Sequence, residues 1–99
     1  MFNASILTGE NMADIEKDKK EFWNLKNEYD MLLIDNQELI FDIADIRRKL
    51  KTANERHKEE LRKELESLLS MLKASEEKLE DNKYCREFLV KRIVENIKY

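Results

Sequence analysis

Few side chains in this sequence have types and spacing that do chemistry. One histidine, His57, has no HxxxH companion and no cysteine nearby, so the ligand spacing of a zinc site within one chain is missing. Its expected role is a polar residue tolerated on a helix seam, with a pH-sensitive core residue as the alternative. The single cysteine, Cys85, reads as a small apolar core residue rather than a nucleophile. One cysteine also excludes a framework of intrachain disulfides and fits a reducing compartment. The 22 acidic residues are spread along the chain with no pocket to shift their proton affinities. A single glycine, Gly9, leaves no material for a glycine-rich phosphate loop. No catalytic residue, metal ligand or cofactor is expected, and the chain reads as a non-enzyme.

The second feature with chemical content is charge. Residues 9–46 carry eleven acidic and four basic side chains, whereas residues 47–63 carry eight basic and three acidic ones. The cations are Arg47, Arg48, Lys49, Lys51, Arg56, Lys58, Arg62 and Lys63. A nucleic-acid accessory protein using this belt is one alternative reading. Against it, no aromatic residue is interleaved for base stacking, and the acidic N-terminal third would repel a phosphate backbone. The simpler expectation is a solvated face held by local pairs such as Glu59 with Lys63.

The elements that would carry these groups are helical. Charged residues make up 41% of the chain and apolar residues 41%, with no proline. That composition belongs to coiled coils and long helices, and the class expected is all-α. No run of about 18 apolar residues marks a membrane span. The start, "MFNASILTGE", lacks the basic and apolar regions of a signal peptide. The expected location is intracellular, cytoplasmic or nuclear, with no membrane partner. Residues 1–9 read as a flexible lead-in, with Thr8 as the cap of a helix opening near residue 10.

From Phe22 the apolar spacing alternates strictly between three and four: Phe22, Leu25, Tyr29, Leu32, Asn36, Leu39, Ile43, Ile46, Leu50, Ala53 and His57. Phe22, Tyr29, Asn36, Ile43, Leu50 and His57 take heptad position a; Leu25, Leu32, Leu39, Ile46 and Ala53 take d. A strict seven-residue repeat keeps one seam on a partner helix. An asparagine at a is costly unless it meets its own copy across a parallel, in-register pair, so Asn36 predicts a parallel homodimer. Glu21 with Lys26 and Asp42 with Arg47 would face each other across it, each pair adding only about 0.2–1 kcal/mol.

The seam leaves a second set of apolar residues unexplained. Trp23, Met31, Leu33, Ile34, Ile40 and Phe41 lie off it. A face that wide predicts either a bundle or a docked protein partner.

Beyond Ala53 the stripe reappears displaced by one residue, as Leu61, Leu65, Leu68, Leu72, Ser75 and Leu79. A register slip near 54–61 within one helix spanning residues 10–80 accounts for this. "TANE" at Thr52 to Glu55 matches a capping box and permits a break. A hairpin folded about 51–54 is disfavoured, because it sets Ile40, Phe41, Ile43 and Ile46 opposite the mostly charged residues 58–66. A second weak point is "EDNK" at 80–83, where Asp81 could cap a new helix. Residues 81–99 then form an apolar C-terminal segment, with Phe88, Leu89, Ile93, Val94 and Ile97 on a broad face. The expected whole is an elongated parallel dimeric coiled coil whose C-terminal helix widens into, or folds back as, a bundle. Its expected work is that of a scaffold or adaptor that dimerises and docks a protein. A compact helical bundle that regulates a partner is the alternative within that class.

Overall fold

A computed structural model describes the backbone of residues 2–97 and the side chains of residues 12–97. It contains two α-helices, α1 (Phe2–Leu50) and α2 (Glu55–Ile97), and no strand among the described residues. The all-α class is as expected. The boundaries differ from expectation at three places, each for a local physical reason.

First, α1 begins at Phe2 rather than near residue 10. Residues 2–8 include no helix breaker, and one interior glycine costs only about 1 kcal/mol. The cap expected at Thr8 concerns a side chain outside the described residues. Second, there is no single helix over 10–80: α1 ends at Leu50 and α2 starts at Glu55. The last turn of α1 carries Arg47, Arg48 and Lys49, cations that offset the negative end of the helix dipole. The N–H groups of Lys51 and Thr52 then turn back to the carbonyls of Arg48 and Lys49, each at 3.2 Å, and that of Ala53 also reaches Lys49 at 3.1 Å. The bonds from Lys51 and Thr52 span three residues and tighten the end of the helix, while Ala53 makes the last bond that spans four. The new helix is capped by Asn54, not by Thr52. Its side-chain oxygen accepts the His57 N–H at 2.9 Å, and its carbonyl accepts the Lys58 N–H at 2.8 Å. An asparagine in this position satisfies a donor that helix geometry leaves orphaned. No residue of the turn needs a positive φ, which is why a segment without glycine can make it. Third, α2 runs through residues 80–83 without a break.

The chain divides into two compact units. One is Asp30–Glu80; the other joins the residues up to Tyr29 with those from Asp81 onward. In the Asp30–Glu80 unit, α2 returns antiparallel to α1 after the four-residue turn. Ile43, Ile46 and Leu61 are its buried apolar residues. Leu32, Leu39, Leu50 and Ala53 from one side, and Leu65, Leu68, Leu72 and Leu79 from the other, are half-buried. The predicted seam is therefore covered by the chain's own second helix. Asn36 does not face its own copy: its side-chain amide donates to the Ser75 hydroxyl at 3.4 Å, with both residues buried.

The same three-four spacing orders the other unit. Phe22, Leu25 and Tyr29 of α1 are half-buried, as are Arg86 and Ile93 of α2, while Leu89 is buried. Asn82 fills a seam position there, 5% exposed. Its amide donates to the Leu25 carbonyl at 2.8 Å, and its oxygen accepts Arg86 Nε at 2.8 Å. The residue expected in a helix junction is instead a cross-helix tie.

Candidate docking face

The seam positions repeat at three and four, so each helix turns its remaining columns outward. In the unit that holds residues up to Tyr29, Trp23 is 59% exposed and meets Phe22 edge-on, with ring centroids 5.4 Å apart. Phe22 is on the seam and Trp23 is one step off it. The first ring thus braces the second against an exposed position. Val90, Ile93 and Val94 approach from α2. Together with Phe22, Trp23 and Lys19 they line a shallow apolar groove of about 190 Å³. A larger open groove of about 1220 Å³ follows α2 over residues 83–92, bounded on α1 by Glu21, Phe22, Leu25 and Tyr29.

The buried charge of this unit is paired across the helices. Asp18, with a side chain 3% exposed, receives the Arg92 guanidinium by two bonds, one of them from Nε to Oδ2 at 2.9 Å. A buried carboxylate holds its charge only with such a partner. The bond from Arg92 keeps the Asp18 carboxyl below the ordinary aspartate range, against the opposing effect of burial. The Arg92 guanidinium is correspondingly raised, first by its bond to Asp18. Arg86 lies over the Tyr29 ring at 4.4 Å, a cation–π contact that covers the seam tyrosine.

The sign of the pH effect follows from the lowered affinity of Asp18 for a proton. Its stabilisation is complete above the unfolded value, about pH 4, and is lost as pH falls through the lower folded value. Urea midpoints measured from about pH 6 to about pH 2 should fall most steeply below about pH 4. Asp18→Asn should remove that part of the fall. An unchanged acid limb in the variant would place the acid-sensitive groups elsewhere.

The remaining predicted sites are distributed as follows. Trp23, Met31, Leu33, Ile34, Ile40, Phe41, Phe88, Val94 and Ile97 are exposed. Leu89 and Ile93, read from sequence as part of an outer face, belong to the seam: Leu89 is 4% exposed and Ile93 half-buried. His57 is exposed at the first turn of α2 rather than in a core, near Glu60 at 3.9 Å. Cys85 is exposed rather than packed. Glu59 and Lys63 do not pair; the local bridges near the turn are Arg48 with Asp45 at 2.8 Å and Lys58 with Glu55 at 3.7 Å. Ser75 stands on the displaced stripe, as the sequence indicates, whereas the cross-helix roles of Asp18, Asn82 and Arg92 are not part of the sequence reading. The signal is present for two of these, since Asp18 and Asn82 continue the three-four columns of Phe22 and Leu79. Arg92 lies one position off that stripe.

Among the described residues, no group of three or more histidine, cysteine or acidic side chains is placed to hold a metal ion. No described helix is long and apolar enough to cross a membrane. Compared with protein-family models, curated proteins and solved structures, the chain matches none.

Proposed function

We propose that the chain is a non-enzymatic adaptor that docks an acidic amphipathic helix of a partner protein. The observation that carries this reading is the groove of Phe22, Trp23, Val90, Ile93 and Val94, in which the one tryptophan of the chain stands 59% exposed. Two antiparallel helices present a furrow between their outer columns, and a third helix with apolar residues at three-four spacing fits it. Aromatic anchors in such furrows supply much of the affinity of protein interfaces. The charge of the occupant follows from the rim. Lys19 lines the groove, where it bridges Glu16 at 3.4 Å, and Lys20 and Lys91 adjoin lining residues in sequence. Those ammonium groups favour acidic residues flanking the apolar stripe of the incoming helix.

Trp23 reports directly on the site. A leucine-based amphipathic peptide with a glutamate-rich polar face and no aromatic residue should shift Trp23 emission to the blue on binding. Val94→Asp should weaken that binding at least about tenfold, since it puts a charge into the apolar contact and adds repulsion towards the glutamates. A lysine-faced peptide of the same apolar stripe should bind less well. Unshifted emission, or a Val94→Asp chain that binds as the parent does, would defeat the reading.

A further inference from the structure

The two units are held by seams of different kinds. From Leu32 to Leu50 and from Leu61 to Leu79, Asn36 and Ser75 are the only polar residues at seam positions, and they bond to each other. In the unit that joins residues up to Tyr29 with those from Asp81, four seam positions are polar: Asp18, Asn82, Arg86 and Asn96. Among the described residues Leu89 is its one buried apolar side chain, against Ile43, Ile46 and Leu61 in the Asp30–Glu80 unit. Its named ties are polar as well. Asn82 bonds to the Leu25 carbonyl, Arg92 bonds to Asp18, and Arg86 lies over Tyr29. When such contacts part, water replaces each partner, so they resist separation less than their strength in isolation suggests. The Arg92 side chain is already 45% exposed. An ion pair in a seam also contributes less than aliphatic residues of the same volume, because both charges give up water on closing. Connectivity acts in the same direction. The two segments of this unit are joined to each other only through Asp30–Glu80. They can part without breaking a bond of the turn or the bond between Asn36 and Ser75.

We infer that the residues up to Tyr29 and those from Asp81 part and rejoin as one unit while Asp30–Glu80 stays folded, and that this opening loads and unloads the docking groove. The second half rests on the docking at Trp23 proposed above. Segments with few buried apolar contacts open at a lower free energy than the rest of a fold, in contiguous cooperative blocks. The groove depends on the block being closed. Lys19, Phe22 and Trp23 supply its α1 wall, and Val90, Ile93 and Val94 its α2 wall. The open form has two separate walls and no groove, so a helix that touches both walls binds the closed form alone. Such a ligand draws the equilibrium towards closure by an amount set by its concentration relative to its Kd. The linkage runs both ways. A change that parts Asp18 from Arg92 weakens the hold on the occupant, although neither residue lines this groove. A partner is thereby taken up and released with the Asp30–Glu80 hairpin intact.

The decisive measurement is amide hydrogen exchange of the full chain, resolved residue by residue by NMR. Without peptide, amides of residues 22–29 and 83–93 should share one protection factor, at least about 100-fold below that of residues 39–46 and 61–72. Asn82→Leu puts aliphatic surface at a polar seam position and should raise the first protection factor at least about tenfold. Ile46→Val should lower the second about three- to tenfold and leave the first unchanged, because the opening breaks no contact of Ile46. Adding the leucine-based, glutamate-faced peptide at about 100 times its Kd should raise the first at least about tenfold. Three results would overturn the opening. Equal protection in the two sets, or a first set that follows Ile46→Val, describes one domain that unfolds whole. Protection that declines steadily from residue 83 to residue 93 describes fraying from the chain end. An Asn82→Leu chain with unchanged protection would remove the polar seam as its cause. A peptide that fails to bind defeats the docking reading, and the opening is still decided by the free chain. A peptide that binds and leaves the first protection factor unchanged overturns the coupling while docking stands.

Discussion

Cysteines placed at Asn36 and Ser75, in a chain whose own cysteine is removed by Cys85→Ser, are expected to oxidise within one molecule. The two native side chains touch at 3.4 Å in the seam of the Asp30–Glu80 unit. The product should run at 12.0 kDa without reductant, at every protein concentration. Closing a loop of roughly 40 residues should stabilise the oxidised form by about 4 kcal/mol relative to the reduced one, read as a shift of the urea midpoint. The alternative arrangement makes the opposite prediction. If Asn36 faced its own copy in a parallel pair, Asn36→Cys alone would crosslink two chains, and the yield of doubled mass would rise with concentration. Such a product would remove the hairpin and reinstate one continuous helix.

Truncating the buried aliphatic side chains should produce the largest losses of stability. Ile46 is 4% exposed and Leu89 is 4% exposed, one in each unit. Replacing either by alanine deletes buried methylene groups and leaves a cavity, a change that costs about 2–5 kcal/mol. Small domains hold only about 5–15 kcal/mol in all, so either substitution takes a large share. Met31→Ser is the matched control: Met31 is 69% exposed, and surface changes away from special features stay within about 0.5 kcal/mol. Urea titrations at low protein concentration compare the three directly. Equal losses at Met31 and Ile46 would mean that the outer column is covered in solution and that the seam is not where the burial lies.

Most of the helical content and nearly all of the seam can be read from residue spacing. Phe22 to Ala53 and Leu61 to Leu79 are the columns that the structure turns inward. What spacing does not supply is the partner of a column. A seven-residue repeat is equally satisfied by a second copy or by the same chain folded back, and Asn36 at an a position suits either, because a serine satisfies an amide as an asparagine does. The sequence disfavours a hairpin because reflection about the centre of the turn pairs Asn36 with residue 69. The observed partner is Ser75, six residues further on. Side chains, not the turn, set the alignment. That offset brings the aliphatic stripe beginning at Leu61 against α1, in place of the charged residues 58–66. The one-residue displacement after Ala53, read as a slip in a continuous helix, is the trace left by four residues of turn. The second stripe faded from view at Asn82 and Arg86, where polar side chains occupy seam positions. Their roles, one bonded to a main-chain carbonyl and one lying over Tyr29, exist only once α1 is alongside. The outer columns were legible as apolar but carried no sign of what would cover them.

The cross-helix bonds are nested about the turn. Asn36 meets Ser75 across 39 residues, Asn82 meets Leu25 across 57, and Arg92 meets Asp18 across 74. Bringing two points of a chain together costs entropy that grows with the length of free chain between them. Once an inner bond is made, the outer pair no longer closes across its full separation, only across the short free stretches between the two bonds. The hairpin thus works as a zipper whose slider is the Asn54-capped turn. The widest separation among these bonds is reached in small increments, and no segment has to be threaded past another.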